Sequence, residues 1–140
     1  MKYQVFNDSF LFFSETTNAW GILINPTNQW KQIQEFVKKN EIQIRYILLT
    51  RATFKNAFRV AQIKQETGAT FLSFQADLLK LRQLPTLADH VNVCGIKVPH
   101  VDRFLDGLDK IELDGISLQI KTSGDVHEYV IDGQKLGPES

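Results

Sequence analysis

The spacing of hydrophobic positions changes along the chain, and each change marks an element. Segments 3–6 and 10–13 (YQVF, FLFF) are short, aromatic-rich runs suited to strands, separated by the turn formers Asn7 and Asp8. WGILI, 20–24, predicts a third strand, stopped by Asn25 and Pro26. Trp30, Ile33, Phe36 and Val37 then recur at helical spacing, which predicts a helix capped by Asn28 and ending near Asn40. IRYILLT, 44–50, is a nearly unbroken apolar run of the kind found in strands covered on both faces.

A second helix is predicted over 55–66, with Ala57, Val60, Ala61 and Lys64 on one stripe and Gly68 as its stop. TFLSF, 70–74, returns as a strand, and ADLLKLRQL predicts a short helix ended by Pro85. Residues 85–100 read as a loop with a strand at 96–98. The clearest hairpin is KIELDGISLQI, where Ile111 and Leu113 alternate, Asp114-Gly115 turns, and Ile116, Leu118 and Ile120 alternate back. HEYVIDGQKL repeats the pattern around Asp132-Gly133. No repeat, low-complexity run or linker interrupts this order.

Composition narrows the function classes. A chain of 140 residues is expected to form one domain with a real core. Sixteen basic and sixteen acidic residues leave no net charge, so nucleic acid is not an expected partner. No apolar run approaches the roughly 20 residues needed to span a bilayer. Asn7, Asp8 and Ser9 break a signal-peptide reading of the N-terminus, and Cys94 is the single cysteine. An internal disulfide and a thiolate metal cluster within one chain are therefore excluded. The expected location is the cytoplasm.

Taken in order, these pieces resemble the N-terminal half of the metallo-β-lactamase superfamily, the fold shared by glyoxalase II-like hydrolases. WGILINP is similar to the family strand that ends in Asp-Pro, here Asn25-Pro26. IRYILLT is similar to the strand that feeds the metal motif T-H-x-H-x-D-H. That stretch here is Thr50, Arg51, Ala52, Thr53, Phe54, Lys55, Asn56. VDRFLDGLDKIELDGISLQIKTSGD resembles the later stretch that ends in T-P-G-H, here Thr122, Ser123, Gly124, Asp125. The family's bridging aspartate would fall near Gly137-Pro138. The resemblance implies an α/β fold: a mixed, mostly antiparallel sheet with three helices, like one half of the αββα sandwich. Residues 1–140 would form a single truncated domain.

The departures from the motif matter most for chemistry. A catalytic zinc or iron site needs imidazole and carboxylate ligands in a fixed shell. Arg51 has no lone pair to give, and Lys55 is a cation where the family has the aspartate that handles the nucleophilic water. Thr53 and Asn56 are feeble neutral ligands, which leaves Asp125 alone. No metal, no cofactor and no hydrolysis by the family route are expected. The leading expectation is a non-catalytic, metal-free binding or scaffolding subunit. Two other readings stay open. One is a repurposed hydrolase using Asp125, His127 or Lys55. The other is a sensor of small anions in the former cleft, with Arg51, Lys55, Asp125 and His127 as binding residues. If the fold is kept, Asp125 is expected to face Arg51 or Lys55.

The remaining residues have simpler readings. His90, His100 and His127 are too scattered to converge on a metal. His127-Glu128 beside Asp125 reads first as a solvated hairpin edge. Cys94 reads as a small buried hydrophobe, and Trp20, Trp30 and the phenylalanines as core. Asp102, Asp106 and Asp109 read as turn formers rather than a calcium loop, and Gly124 alone is a weak sign of an anion nest. Three helices cover one face of a sheet, yet IRYILLT, FLFF and WGILI are apolar on both. Leaving roughly 600 Å² of apolar surface open would forgo about 15 kcal/mol as an upper bound. A homodimer through that open sheet face is expected, with another protein partner as the alternative. An internal cover, by segment 85–100 and the N-terminal hairpin, is a further possibility.

Overall fold

A computed structural model describes residues 2–15, 17–131 and 134–136, the last three by their backbone. Six strands form the first sheet in the order β1 to β6. The strands β1 (Lys2–Phe6), β2 (Ser9–Phe13) and β3 (Trp20–Ile24) pair antiparallel. From β3 onward the pairing is parallel, through β4 (Gln43–Leu48), β5 (Thr70–Ser73) and the two-residue β6 (Arg103–Phe104). Parallel neighbours need crossovers, and helices supply them. Helix α1 (Trp30–Lys39) joins β3 to β4, while α2 (Phe54–Ala57) and α3 (Val60–Thr67) join β4 to β5. The pair α4 (Leu78–Arg82) and α5 (Leu84–His90) lies between β5 and β6.

The second sheet is wholly antiparallel: β7 (Lys110–Leu113), β8 (Ile116–Ser123), β9 (Val126–Ile131) and β10 (Gln134–Leu136). Antiparallel pairings predominate over the two sheets together, as the resemblance implied. The single sheet it suggested is divided in two.

That division changes the packing. On one face of the first sheet, Leu11, Leu23, Ile44, Ile47 and Phe71 pack with Ile33 and Val60 of the helices. On the other, Phe12, Ile22, Ile24 and Leu48 meet Ile111, Leu118, Tyr129 and Ile131 of the second sheet. The chain thus builds three layers, helices, sheet and sheet, and both apolar faces of the central strands are covered internally. The premise of a homodimer through an open sheet face is corrected here, because that face is the chain's own core. The cover comes from the two C-terminal hairpins, not from segment 85–100 or the N-terminal hairpin. Strict alternation explains why this suffices: Ile111, Leu113, Leu118 and Ile120 point inward, while Lys110, Glu112, Gln119 and Lys121 point to water.

Local differences have local causes. The first predicted helix begins with a 3-10 turn at Thr27–Gln29, and Asn28 makes no capping bond to α1. The predicted helix 55–66 is broken between α2 and α3, and Gly68 closes it in the left-handed conformation at φ 73°. Pro85 does not end the helical region but opens α5, where its missing N–H costs nothing. No strand forms at 96–98; the sixth strand comes at β6. Cys94 is exposed rather than buried, while Trp20 and Trp30 are in the core as expected. The Asp132-Gly133 turn and Gly137-Pro138 lie outside the described residues. Among the described residues, no helix is long and apolar enough to cross a membrane.

Candidate functional site

The C-terminal ends of the parallel strands converge with the β8–β9 turn at one edge of the sandwich. Ligands in open α/β sheets gather at such strand ends, because the loops there diverge and leave a crevice. Asn25, just past β3, takes the left-handed conformation at φ 53°. Its carboxamide Nδ2 donates to Thr50 Oγ1 at 2.8 Å, and the Thr50 N–H donates to Asn25 Oδ1 at 2.9 Å. This pair of hydrogen bonds ties the ends of β3 and β4 together.

The loop after Thr50 is closed on itself. Thr53 caps α2, its hydroxyl accepting the Asn56 N–H at 3.3 Å. Asn56 Nδ2 in turn donates to the Arg51 carbonyl at 3.1 Å. Two of the motif positions thus serve the loop's own backbone.

Arg51 and Lys55, the two cations of the motif, diverge. Arg51 Nε lies 3.6 Å from Asp125 Oδ1, as the resemblance led one to expect. Lys55 instead bonds Asp8 of the first hairpin, at the mouth of a polar cleft of about 390 Å³ lined also by Asn7, Asn28 and Gln29. The partner that sequence reasoning missed is Lys80 of α4, whose ammonium donates to Asp125 Oδ2 at 2.8 Å. Lys80 first, and Arg51 after it, hold the Asp125 carboxyl below the usual carboxylate range against a smaller opposing effect of desolvation. All three side chains are about half exposed, so this is an accessible charge cluster rather than a buried one.

His127 overturns the reading of a solvated hairpin edge. Its side chain is only 2% exposed, and so is that of Asp77, whose Oδ2 sits 2.8 Å from His127 Nε2. Phe74 stacks on the imidazole, with centroids 3.9 Å apart and planes 13° from parallel. His127 Nδ1 lies 3.0 Å from Thr122 Oγ1, directly across the β8–β9 ladder. The His127 N–H donates to the Thr50 carbonyl at 2.7 Å, so the second sheet is anchored to the end of β4. Beneath it, the Tyr129 hydroxyl donates to the Leu49 carbonyl at 2.6 Å. Burial, and secondarily the charge of Asp77, push the Tyr129 pKa well up, which keeps this donor protonated.

Asp77 and Lys80 both belong to ADLLKLRQL. The usable signal was position: they open the helical segment that follows a parallel strand, where side chains reach the crevice. Of the other residues singled out, His90 and His100 are exposed and remote from this cluster in the chain. Asp102 and Asp106 accept the Phe71 and Gln75 N–H groups, which fits their reading as structural.

No protein-family profile and no curated sequence matches the chain. Solved structures do. BLEG-1, a B3 metallo-β-lactamase, superposes with a TM-score of 0.70 at 13% identity, covering 86% of this chain and 60% of its own. Native FEZ-1 metallo-β-lactamase from Legionella gormanii gives 0.68 at 20% identity, covering 91% and 53%. ETHE1 from Myxococcus xanthus gives 0.65 at 15% identity, covering 94% and 54%. The chain has the metallo-β-lactamase fold. It spans between half and two thirds of the length of these proteins.

The metallo-β-lactamase fold implies a metal centre, and the residues present do not fit one. Arg51 and Lys55 are cations at the positions the resemblance assigns to the metal motif, and the Thr53 hydroxyl is already engaged by a backbone N–H. Among the described residues, no three His, Cys, Asp or Glu side chains come together as a ligand group.

Proposed function

We propose that this chain is a metal-free binding subunit that holds a small anionic ligand, or an acidic group of a partner protein, at the rim of the former metal crevice. The observation that carries this reading is the convergence of Lys80 and Arg51 on Asp125. Two cations share one carboxylate, so the cluster keeps an excess positive charge in a partly exposed crevice. An incoming carboxylate or phosphate can bridge both cations as Asp125 swings to water. Lys55 belongs to the neighbouring polar cleft, where it is paired with Asp8.

The test combines elemental analysis with a thermal-shift screen of small carboxylates and phosphates. We expect no stoichiometric zinc or iron, and a rise in apparent stability with anions because they bind the native state alone. Lys80→Ala is expected to remove that rise. About one metal per chain, lost in Asp125→Ala, would overturn the metal-free reading. A shift unchanged in Lys80→Ala would overturn the ligand site.

The second reading, a repurposed hydrolase, is favoured by one specific arrangement, the hydrogen-bonded run from Asp77 through His127 to Thr122.

A further inference from the structure

We infer that Thr122 is a nucleophile, activated by His127 and oriented through Asp77, for acyl transfer from small carboxylate-bearing esters. The geometry is that of an acid–base–hydroxyl chain. Asp77 Oδ2 to His127 Nε2 is 2.8 Å and His127 Nδ1 to Thr122 Oγ1 is 3.0 Å. Both are within the reach that nucleophile, base and orienting group require.

Hydrogen-bond logic sets the tautomer. The Asp77 carboxylate only accepts, so Nε2 carries the proton in the neutral imidazole. Nδ1 then keeps its lone pair and faces the Thr122 hydroxyl. The ring cannot turn away from this arrangement, because Phe74 stacks on its face and the backbone N–H of the same residue is tied to Thr50.

Burial distinguishes this chain from an ordinary structural pair. Asp77 and His127 are sealed, each 2% exposed. Thr122, the third member, is exposed. The buried pair therefore opens to solvent through a hydroxyl on the last turnward residues of β8, three positions before Asp125 in the chain.

The step balances without metal or redox partner. Thr122 Oγ attacks the ester carbonyl carbon as its proton passes to His127 Nδ1, and the imidazolium is held by Asp77. The tetrahedral intermediate collapses, the bond to the leaving alcohol oxygen breaks, and that oxygen takes the proton from Nδ1. Water then attacks the acyl-threonine, giving its proton to Nδ1, which returns one to Thr122 Oγ as the acid leaves. The carboxylate on the substrate is the part taken by Lys80 and Arg51, and this half of the inference rests on the anion-binding reading.

Two probes separate the halves: 4-nitrophenyl acetate, which is neutral, and mono-4-nitrophenyl succinate, which carries a carboxylate. Released nitrophenolate is followed in the first turnover, and the acylated residue is mapped by peptide mass spectrometry. We expect a burst and an acyl group on Thr122. Thr122→Ser is expected to retain it, and Thr122→Val to lower the burst about a hundredfold or more. Asp77→Asn is expected to slow acylation about tenfold with the half-saturating ester concentration unchanged, a split that mere loosening of the fold does not produce. Acyl groups found on lysines alone, or a burst surviving in Thr122→Val, would overturn the nucleophile whatever the anion screen returns. Equal rates for the two esters, with Thr122 labelled, would remove the carboxylate specificity and leave the nucleophile standing.

Discussion

Removing Asp77 is the most direct test of how the two sheets are locked together. Asp77→Ala leaves His127 Nε2–H facing a void inside the protein, with the imidazole still fixed by Phe74 and Thr122. A buried donor without a partner costs about 1–3 kcal/mol, and about 3–5 kcal/mol if the pair is ionised. A loss near 3 kcal/mol is therefore expected, which lowers the thermal midpoint by roughly 10 °C for a domain of this size. The double variant Asp77→Leu with His127→Phe removes both polar partners and keeps an aromatic ring against Phe74. It is expected to lie within about 1 kcal/mol of the starting protein, since apolar replacement of a buried pair is often close to neutral. The single variants Asp77→Leu and His127→Phe, with this double variant and the parent, close a cycle in which a coupling of about 2 kcal/mol is expected. Urea unfolding followed by tryptophan fluorescence measures it, because Trp20 and Trp30 are both buried. An Asp77→Ala loss below about 0.5 kcal/mol, the range of surface substitutions, would refute the reasoning.

Leu48 and Leu49 lie on opposite faces of the first sheet, Leu48 against the second sheet and Leu49 against the helices. Leu48→Asp and Leu49→Asp are both expected to unfold the chain by circular dichroism; a folded Leu48→Asp protein of altered mass in light scattering would mean that the sheet-to-sheet core is not internal. Asp102 is partly desolvated, which opposes its ionisation, but hydrogen bonds from Lys64 and the Phe71 N–H outweigh this and lower its pKa. Because the folded value is the lower one, its contribution is fully present above the unfolded carboxylate pKa of about 4 and is lost as pH falls through the folded value. Asp102→Asn is expected to flatten stability against pH in acid urea titrations below about pH 4, and an unchanged slope there would contradict the assignment.

Strand and helix identity was written in the spacing of apolar residues, because alternation and helical periodicity act within a few residues of chain. WGILI, IRYILLT, TFLSF and KIELDGISLQI all became strands or a hairpin, and Gly68 ended its helix as a left-handed glycine must. The residue types at the positions that resemble the metal motif were also legible by themselves: Arg51 and Lys55 are cations, whatever surrounds them. Three matters were decided only by the tertiary structure. The C-terminal hairpins have a clean apolar face, but alternation does not say which surface it meets, so the covered core read as an open one. Asp77 and His127 are 50 residues apart in the chain; alternation with Tyr129 and Ile131 puts His127 on the inward face of β9, but nothing local pairs it with Asp77. The resemblance had offered the place beside Asp125 to Arg51 or Lys55; Arg51 takes it together with Lys80 of α4, while Lys55 pairs with Asp8 of the first hairpin. Local periodicity fixes elements through short-range geometry; the partners of charged and buried polar groups depend on how distant elements pack.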